Sequence, residues 1–162
     1  YKPIQLSKGG LTTIRTDDSE TGHPSGYFGL FYIQDDVVKI GRFLDDDQGK
    51  IHGVQVLSPE RLRETMLQNP SVPGLPVPDP GAVVVQGTFH YNHGFWEKHI
   101  TSAEFHQYAC DFWIPYMSGY GGITILLLPN GVVYYVFSDG GEFNWYNAVT
   151  EINKLKPICG AR

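Results

Sequence analysis

The chain has 162 residues, of which 41% are hydrophobic, 14% aromatic and 18% charged, so it is long enough for one domain with a buried core. Its formal net charge is −5 and no cluster of Lys and Arg interrupts that acidity, which argues against a nucleic-acid or anionic-membrane partner. No run approaches about 18 apolar residues, so no transmembrane helix is expected.

The first part of the chain predicts a polar lead-in and then a helix. Residues 1–26 are rich in Gly, Thr, Asp and Ser without a sustained period, so we expect loop or extended chain there. Gln34 or Asp35 opens a helix whose apolar positions continue to Leu44. The acidic run at 45–47 ends this helix, because negative charge is unfavourable at a helix C-terminus.

A second helix begins at Ser58-Pro59-Glu60. Ser58 is the predicted cap, and Pro59 takes the first helical position, where its missing N–H costs nothing. We expect this helix to end near Gln68. Residues 70–81 contain five prolines and predict a stiff surface excursion.

The remainder predicts strands and a final helix. Strand-like runs occupy residues 83–85, 88–96 and 105–115. The last element, at 144–156, is a helix with an apolar stripe, and it ends before a proline. The members of the stripe are Tyr146, Val149, Ile152 and Leu155. This order of helices and antiparallel strands indicates an α+β fold.

A β-hairpin is the clearest local signal. Asn130-Gly131 lies between the apolar runs Ile123–Leu128 and Val132–Phe137, and Asn-Gly between such runs predicts a tight turn. Both runs are nearly continuous in apolar residues, so we expect both strands to be covered on both faces.

The segment Tyr-Met-Ser-Gly-Tyr-Gly-Gly at 116–122 immediately precedes the hairpin. Small residues and glycine let a backbone approach a ligand closely. A pocket beside the strand that runs into Ser118 is therefore the first functional hypothesis. The alternative is a tight turn between strands with no catalytic role.

Two cysteines, Cys110 and Cys159, leave two interpretations open. Without knowledge of the compartment, the sequence favours two buried free thiols over a pair. A disulfide would close a long loop and stabilise the protein by about 4 kcal/mol on the chain-entropy estimate.

In their order, these motifs resemble serine β-lactamase-like hydrolases over roughly residues 25–157. In that superfamily a helix ending in Gly-Arg-Phe-Leu, as at 41–44, precedes a Ser-Pro-Glu helix start, as at 58–60. Residues 91–96 are similar to the superfamily's Tyr-Gly-Leu-Gly-Trp strand, and residues 117–119 fall at its third motif, Lys/His-Thr/Ser-Gly. The nearest branches are class C β-lactamases, D,D-peptidases of the penicillin-binding proteins, and esterases.

The resemblance implies an antiparallel sheet flanked by helices, as in the C-terminal portion of the β-lactamase/transpeptidase-like three-layer fold. Residues 1–162 would then be a single domain or the C-terminal part of a larger serine-hydrolase domain. Acyl transfer in this superfamily needs S-x-x-K and a second motif, Y-x-N or S-x-N, and this sequence contains neither. We therefore expect the nucleophile and base on an N-terminal fragment or partner chain. The sequence opens at Tyr1 rather than Met, which we interpret as processing, proteolysis or trimming.

The resemblance implies catalytic roles for Ser118 and Tyr120. The superfamily's third motif lies on an edge strand beside the nucleophile, and the N–H after its glycine contributes to the oxyanion hole. That N–H would belong to Tyr120. The Ser118 hydroxyl would bond a substrate carboxylate or join the proton network.

The resemblance implies substrate-binding roles for Met117 and Gly119 in the motif. We expect Trp113 and Tyr116 at the pocket mouth, because they approach Ser118 along the chain. Met117 departs from the superfamily, since a thioether can donate neither a charge nor a proton where Lys or His normally stands. This departure favours a small ester, amide or other neutral acyl substrate.

No metal or cofactor is expected. His90 and His93 are three residues apart on one predicted strand, so they would face opposite sides and could not easily share a zinc ion. The family resemblance favours a periplasmic or secreted location. The alternative to a hydrolase is a non-catalytic binding or regulatory module that keeps the fold without the chemistry.

Overall fold

The structure is a computed structural model that describes residues 5–6, 30–31, 34–66, 73–78, 87–119, 123–137 and 144–160. The chain divides into two compact units, residues 1–40 and 41–162. Across the described ranges the fold is α+β, as predicted, and it contains three helices and a six-stranded antiparallel sheet. None of the helices in these ranges is both long enough and apolar enough to cross a membrane.

In the first unit, two short strands pair antiparallel, β1 (Gln5–Leu6) with β2 (Leu30–Phe31). Helix α1 (Gln34–Leu44) follows and continues across the boundary between the units, so that its last turn belongs to the second unit. Its bounds confirm the predicted helix. Asp35 and Asp36 lie in its first turn, where negative charge interacts favourably with the positive end of the helix dipole. Apart from β1, the predicted loop at 1–26 lies outside the described residues.

Three short elements follow α1 in the second unit: β3 (Lys50–Ile51), β4 (Val54–Gln55) and α2 (Pro59–Thr65). The predicted cap is confirmed, since the Ser58 hydroxyl oxygen accepts the Arg61 N–H at 3.3 Å. Helix α2 ends at Thr65, earlier than the predicted end, with Met66 as its C-cap.

The sheet of the second unit has the strand order β10-β9-β8-β7-β6-β5. Its strands are β5 (Leu75–Val77), β6 (Phe89–Asn92), β7 (Phe95–Ile100), β8 (Phe112–Gly119), β9 (Ile123–Leu128) and β10 (Val132–Phe137). The predicted hairpin is confirmed with its bounds as β9 and β10. β9 is a buried inner strand, but β10 is a half-buried edge strand, so the expectation of two central strands is wrong for β10.

Three sequence predictions in the middle of the chain are corrected. Residues 88–96 are not one strand, because a turn at His93-Gly94, with φ of 48° and 93°, separates β6 from β7. Residues 101–111 form turns, so the strand predicted at 105–115 begins only at Phe112. The proline-rich excursion includes the edge strand β5, where Pro76 is tolerated because an edge has N–H groups without a ladder partner. Residues 83–85 lie outside the described ranges.

Helix α3 (Tyr146–Leu155) covers one face of the sheet, which we call the α3 face. The buried cluster on this face comprises Phe89, Ile100, Tyr108, Phe112, Ile114, Tyr116, Leu126, Leu128, Trp145, Val149 and Ile158. Val149 confirms the predicted stripe, whereas Leu155 is 89% exposed and does not belong to it.

The last turn of α1 packs against the opposite face of the sheet. Gly41 is buried there, and a Cβ built on it would lie 2.7 Å from Cγ2 of Val133 on β10. Within the second unit, helical residues therefore lie on both faces of the sheet, α3 on one face and the last turn of α1 on the other, in agreement with the predicted flanking helices.

A disulfide joins Cys110 to Cys159, with the two Cα atoms 5.7 Å apart. The preference for free thiols is therefore wrong. The bridge ties the turns before β8 to the segment after α3, where Ile158 enters the buried cluster. The sequence separation of 49 corresponds to a stabilisation of about 4 kcal/mol on the chain-entropy estimate.

Candidate functional site at the open end of a central strand

The predicted site segment ends strand β8. β8 lies between β7 and β9, but its pairing with β7 stops at the Trp96–Tyr116 pair. Its pairing with β9 continues to the Gly119–Ile123 pair. Among the described residues, Met117–Gly119 is therefore paired on one side only, and we call it the open end of β8. At this end, the side of β8 that faces β7 is therefore a short unpaired strand edge.

The side chains of the open end divide between the two faces of the sheet. Ser118 is exposed and pairs in register with Thr124, so both hydroxyls lie on the α3 face. Thr124 is 0% exposed, and its hydroxyl has no hydrogen-bond partner among the described residues. Half-buried Met117 pairs with Ile125 on the opposite face. Of the three, Ser118 offers a hydrogen-bonding group to solvent.

Of the two aromatic residues predicted at the pocket mouth, one lies on the same face of the sheet as Ser118. Tyr116 lies two residues before it on the same face, but its ring is 6% exposed and packs 5.8 Å from the Trp145 ring. Trp113 lies five residues before Ser118 on the opposite face, about 17 Å away at about 3.3 Å per residue. Tyr120, the predicted oxyanion donor, lies outside the described residues.

Trp113 instead belongs to an aromatic stack. Its ring stacks on His99 at 4.4 Å with an interplanar angle of 7°, and lies 4.6 Å from the His90 ring. His90 Nδ1 is hydrogen-bonded to the Pro73 carbonyl oxygen. Burial lowers the pKa of His99, which favours the neutral ring. Within the described ranges, no three potential ligand residues form a metal-binding group.

A polar cluster between α2 and the β6–β7 turn was missed by sequence reasoning. The Glu64 side chain, 5% exposed, accepts a hydrogen bond from Arg61 Nη1 at 2.7 Å and lies 3.4 Å from His93 Nε2. Asn92 Nδ2 donates to the Glu64 main-chain oxygen at 3.0 Å, which fixes the β6–β7 turn against α2. The signal that could have found this cluster was His93-Gly94 between two apolar runs, a hairpin pattern.

A cavity of about 300 Å³ lies at the other end of β8. Its lining includes Phe112, the first residue of β8, together with the disulfide. Phe112 is six residues from Ser118, about 20 Å along the strand. This cavity is therefore remote from the predicted site.

Comparison with models of protein families, with curated proteins and with solved structures found no match. The functional interpretation therefore depends on the motifs in the sequence and on the geometry at the end of β8.

Proposed function

We propose that this chain is the C-terminal portion of a serine acyl hydrolase with a β-lactamase-like three-layer fold. The observation that carries the proposal is the one-sided pairing of Met117–Gly119, with the exposed Ser118 within it. An unpaired strand edge presents main-chain donors and acceptors that an extended acyl substrate can pair with. The chain would supply this edge together with the Tyr120 N–H as one oxyanion-hole donor.

The nucleophile and base would come from polypeptide that this sequence does not contain, because no S-x-x-K, Y-x-N or S-x-N occurs in it. The substrate would be a small ester, amide or peptide without a required carboxylate, since Met117 provides no cation. The Cys110–Cys159 disulfide supports a periplasmic or secreted location, where such bonds persist.

The proposal is tested on the natural protein that contains this sequence, with all of its preceding polypeptide. A fluorophosphonate probe should label one serine, and peptide mapping should find it outside residues 1–162. Tyr120→Pro removes the main-chain N–H, whereas the matched Tyr120→Ala keeps it. We expect kcat for a p-nitrophenyl ester to fall by about 10²–10³ in Tyr120→Pro relative to Tyr120→Ala.

Two results would contradict the proposal. One is labelling of the isolated 162-residue chain, which should contain no activated serine. The other is equal kcat in the two Tyr120 variants when urea denaturation shows that both are folded.

The second candidate is a non-catalytic binding or regulatory module, and Met117 at the Lys/His position of the third motif favours it. This candidate predicts no serine labelling of the whole natural protein. It also predicts no S-x-x-K in the polypeptide before Tyr1, so that sequence separates the two functions.

A further inference from the structure

An exposed apolar surface lies on the α3 face of the sheet, next to the open end of β8. Its residues form one row across the strands, because Leu75 pairs in register with Tyr91, and Tyr91 with Trp96. Trp96 pairs in turn with Tyr116, which belongs to the buried cluster on the α3 face. Residues directly opposite one another in a sheet share a face, so the whole row lies on the face that carries Ser118.

Exposure along this row increases towards the edge of the sheet. Trp96 is half-buried, Tyr91 is 39% exposed and Leu75 is 70% exposed. The Tyr91 and Trp96 ring centroids are 5.2 Å apart with an interplanar angle of 70°, an edge-to-face contact that joins the two rings into one surface. We call Leu75, Tyr91 and Trp96 the apolar shelf.

The strand register joins the apolar shelf to the open end of β8. Trp96 pairs with Tyr116, so Ser118, two residues further along β8, is the diagonal neighbour of Trp96 on the same face. Diagonal neighbours are about 7–8 Å apart, a distance that an aromatic side chain spans. A molecule bound at the open end can therefore extend directly onto the shelf.

The outer end of the shelf is held in place although β5 is an edge strand. Gly74 has a φ of 74°, and a Cβ built on it would lie 2.9 Å from the Tyr91 main-chain oxygen. His90 Nδ1 is hydrogen-bonded to the Pro73 carbonyl oxygen. These contacts fix β5 against β6 and with it the position of Leu75. Binding to a surface formed in advance costs less conformational entropy.

The chemistry of the shelf favours an uncharged apolar ligand. Among the residues of β5–β8 on this face, the only charged side chain is Lys98, which is buried with its Nζ 4.5 Å from the Phe89 ring centroid. A ligand on the shelf therefore meets apolar groups, and contact removes apolar surface of both partners from water. This preference agrees with Met117, which provides no cation for a charged substrate.

We propose that the apolar shelf binds the acyl chain of the substrate, so that the site favours esters or amides of acids with an extended apolar chain over acetyl substrates. The inference rests on the proposed acyl hydrolase function and names its substrate class. The acyl chain is assigned to the shelf because, unlike the leaving group, it stays bound through both half-reactions of an acyl-enzyme mechanism.

The chain offers a matched control at Leu155. Leu155 is 89% exposed at the end of α3 and does not belong to the shelf. Leu75→Ala and Leu155→Ala therefore remove the same apolar group from an exposed position. At the centre of the shelf, Tyr91→Ala removes the ring, whereas Tyr91→Phe keeps the ring and removes the hydroxyl.

The test measures kcat/KM for p-nitrophenyl octanoate and p-nitrophenyl acetate in the natural protein with its preceding polypeptide. We expect the octanoate-to-acetate ratio of the wild type to be at least about tenfold. Leu75→Ala should lower this ratio by about threefold and Tyr91→Ala by about tenfold, since each removes apolar contact with the chain. Tyr91→Phe should restore the ratio that Tyr91→Ala loses. Leu155→Ala should stay within about twofold of the wild type.

The ratio separates chain binding from a general loss of folded protein, because unfolding lowers both rates together. If the esters are hydrolysed but Leu75→Ala and Tyr91→Ala give the same ratio as Leu155→Ala, the shelf does not bind the acyl chain and the hydrolase proposal stands. Preceding polypeptide that covers the shelf would give this result. A wild-type ratio near one would also contradict the shelf. If the wild type shows neither serine labelling nor ester hydrolysis, both proposals are wrong.

Discussion

Glu97 is a carboxyl group in the centre of the sheet, and its substitution should change how stability depends on pH. Its side chain is 0% exposed, and among the described residues neither carboxylate oxygen has a hydrogen-bond partner. Its neighbours in register are His90 on β6 and Pro115 on β8. Burial raises the pKa of Glu97 from 4.5 to about 8, because the charged form loses its hydration.

The size of the expected change in the free energy of unfolding follows from the linkage between protonation and folding. Below pH 4.5 the carboxyl is protonated in both the folded and the unfolded chain, so it has no pH-dependent effect. Between pH 4.5 and about 8 the unfolded chain ionises while the folded chain stays neutral, so stability falls as the pH rises. At about 1.4 kcal/mol per pH unit, the loss attributable to Glu97 reaches roughly 5 kcal/mol above pH 8.

Glu97→Gln keeps the shape and removes the titration. We expect the free energy of unfolding of the variant, relative to wild type, to rise by roughly 5 kcal/mol between pH 4.5 and 8.5, as measured by urea denaturation. The exposed Glu104→Gln is the control and should give a profile parallel to wild type. Parallel profiles for Glu97→Gln and wild type would refute the reasoning, since they would mean that Glu97 ionises normally in the folded protein.

Two further substitutions test the packing and the covalent link. Gly41→Ala should lower the free energy of unfolding by about 1 kcal/mol, because the clash with Val133 outweighs the better helix propensity of Ala. In a Val133→Ala background the same change should instead raise the free energy of unfolding. Urea denaturation of the wild type, the two single variants and the double variant measures whether Gly41→Ala changes sign in this way. Replacing both Cys110 and Cys159 with Ser should cost about 4 kcal/mol, and a thiol titration of the unfolded wild type should detect free thiols only after reduction. A loss below about 1 kcal/mol would contradict the loop-closure argument.

The sequence predicts those elements whose causes are local. α1, the Ser58 cap and the β9–β10 hairpin are set by charge at helix ends, a hydroxyl at a helix start and Asn-Gly between apolar runs. The disulfide could not be predicted, because the proximity of Cys110 and Cys159 depends on how α3 packs across the sheet. For the same reason Leu155 fits the helical period and yet is exposed, since α3 ends beyond the edge of its contact with the core.

The candidate site shows the same division between local and non-local information. The Met-Ser-Gly segment could be recognised from its residues, and the register adds that this segment passes beyond the end of β7. The prediction of one strand over residues 88–96 excludes the turn at His93-Gly94, next to which Asn92 is hydrogen-bonded to α2. Even with that turn recognised, the position of Glu64 could not be predicted, because the Asn92–Glu64 hydrogen bond joins residues 28 apart in the sequence. The contact between Glu64 and His93 is therefore a property of how α2 packs against the β6–β7 turn, which no motif search along the chain detects.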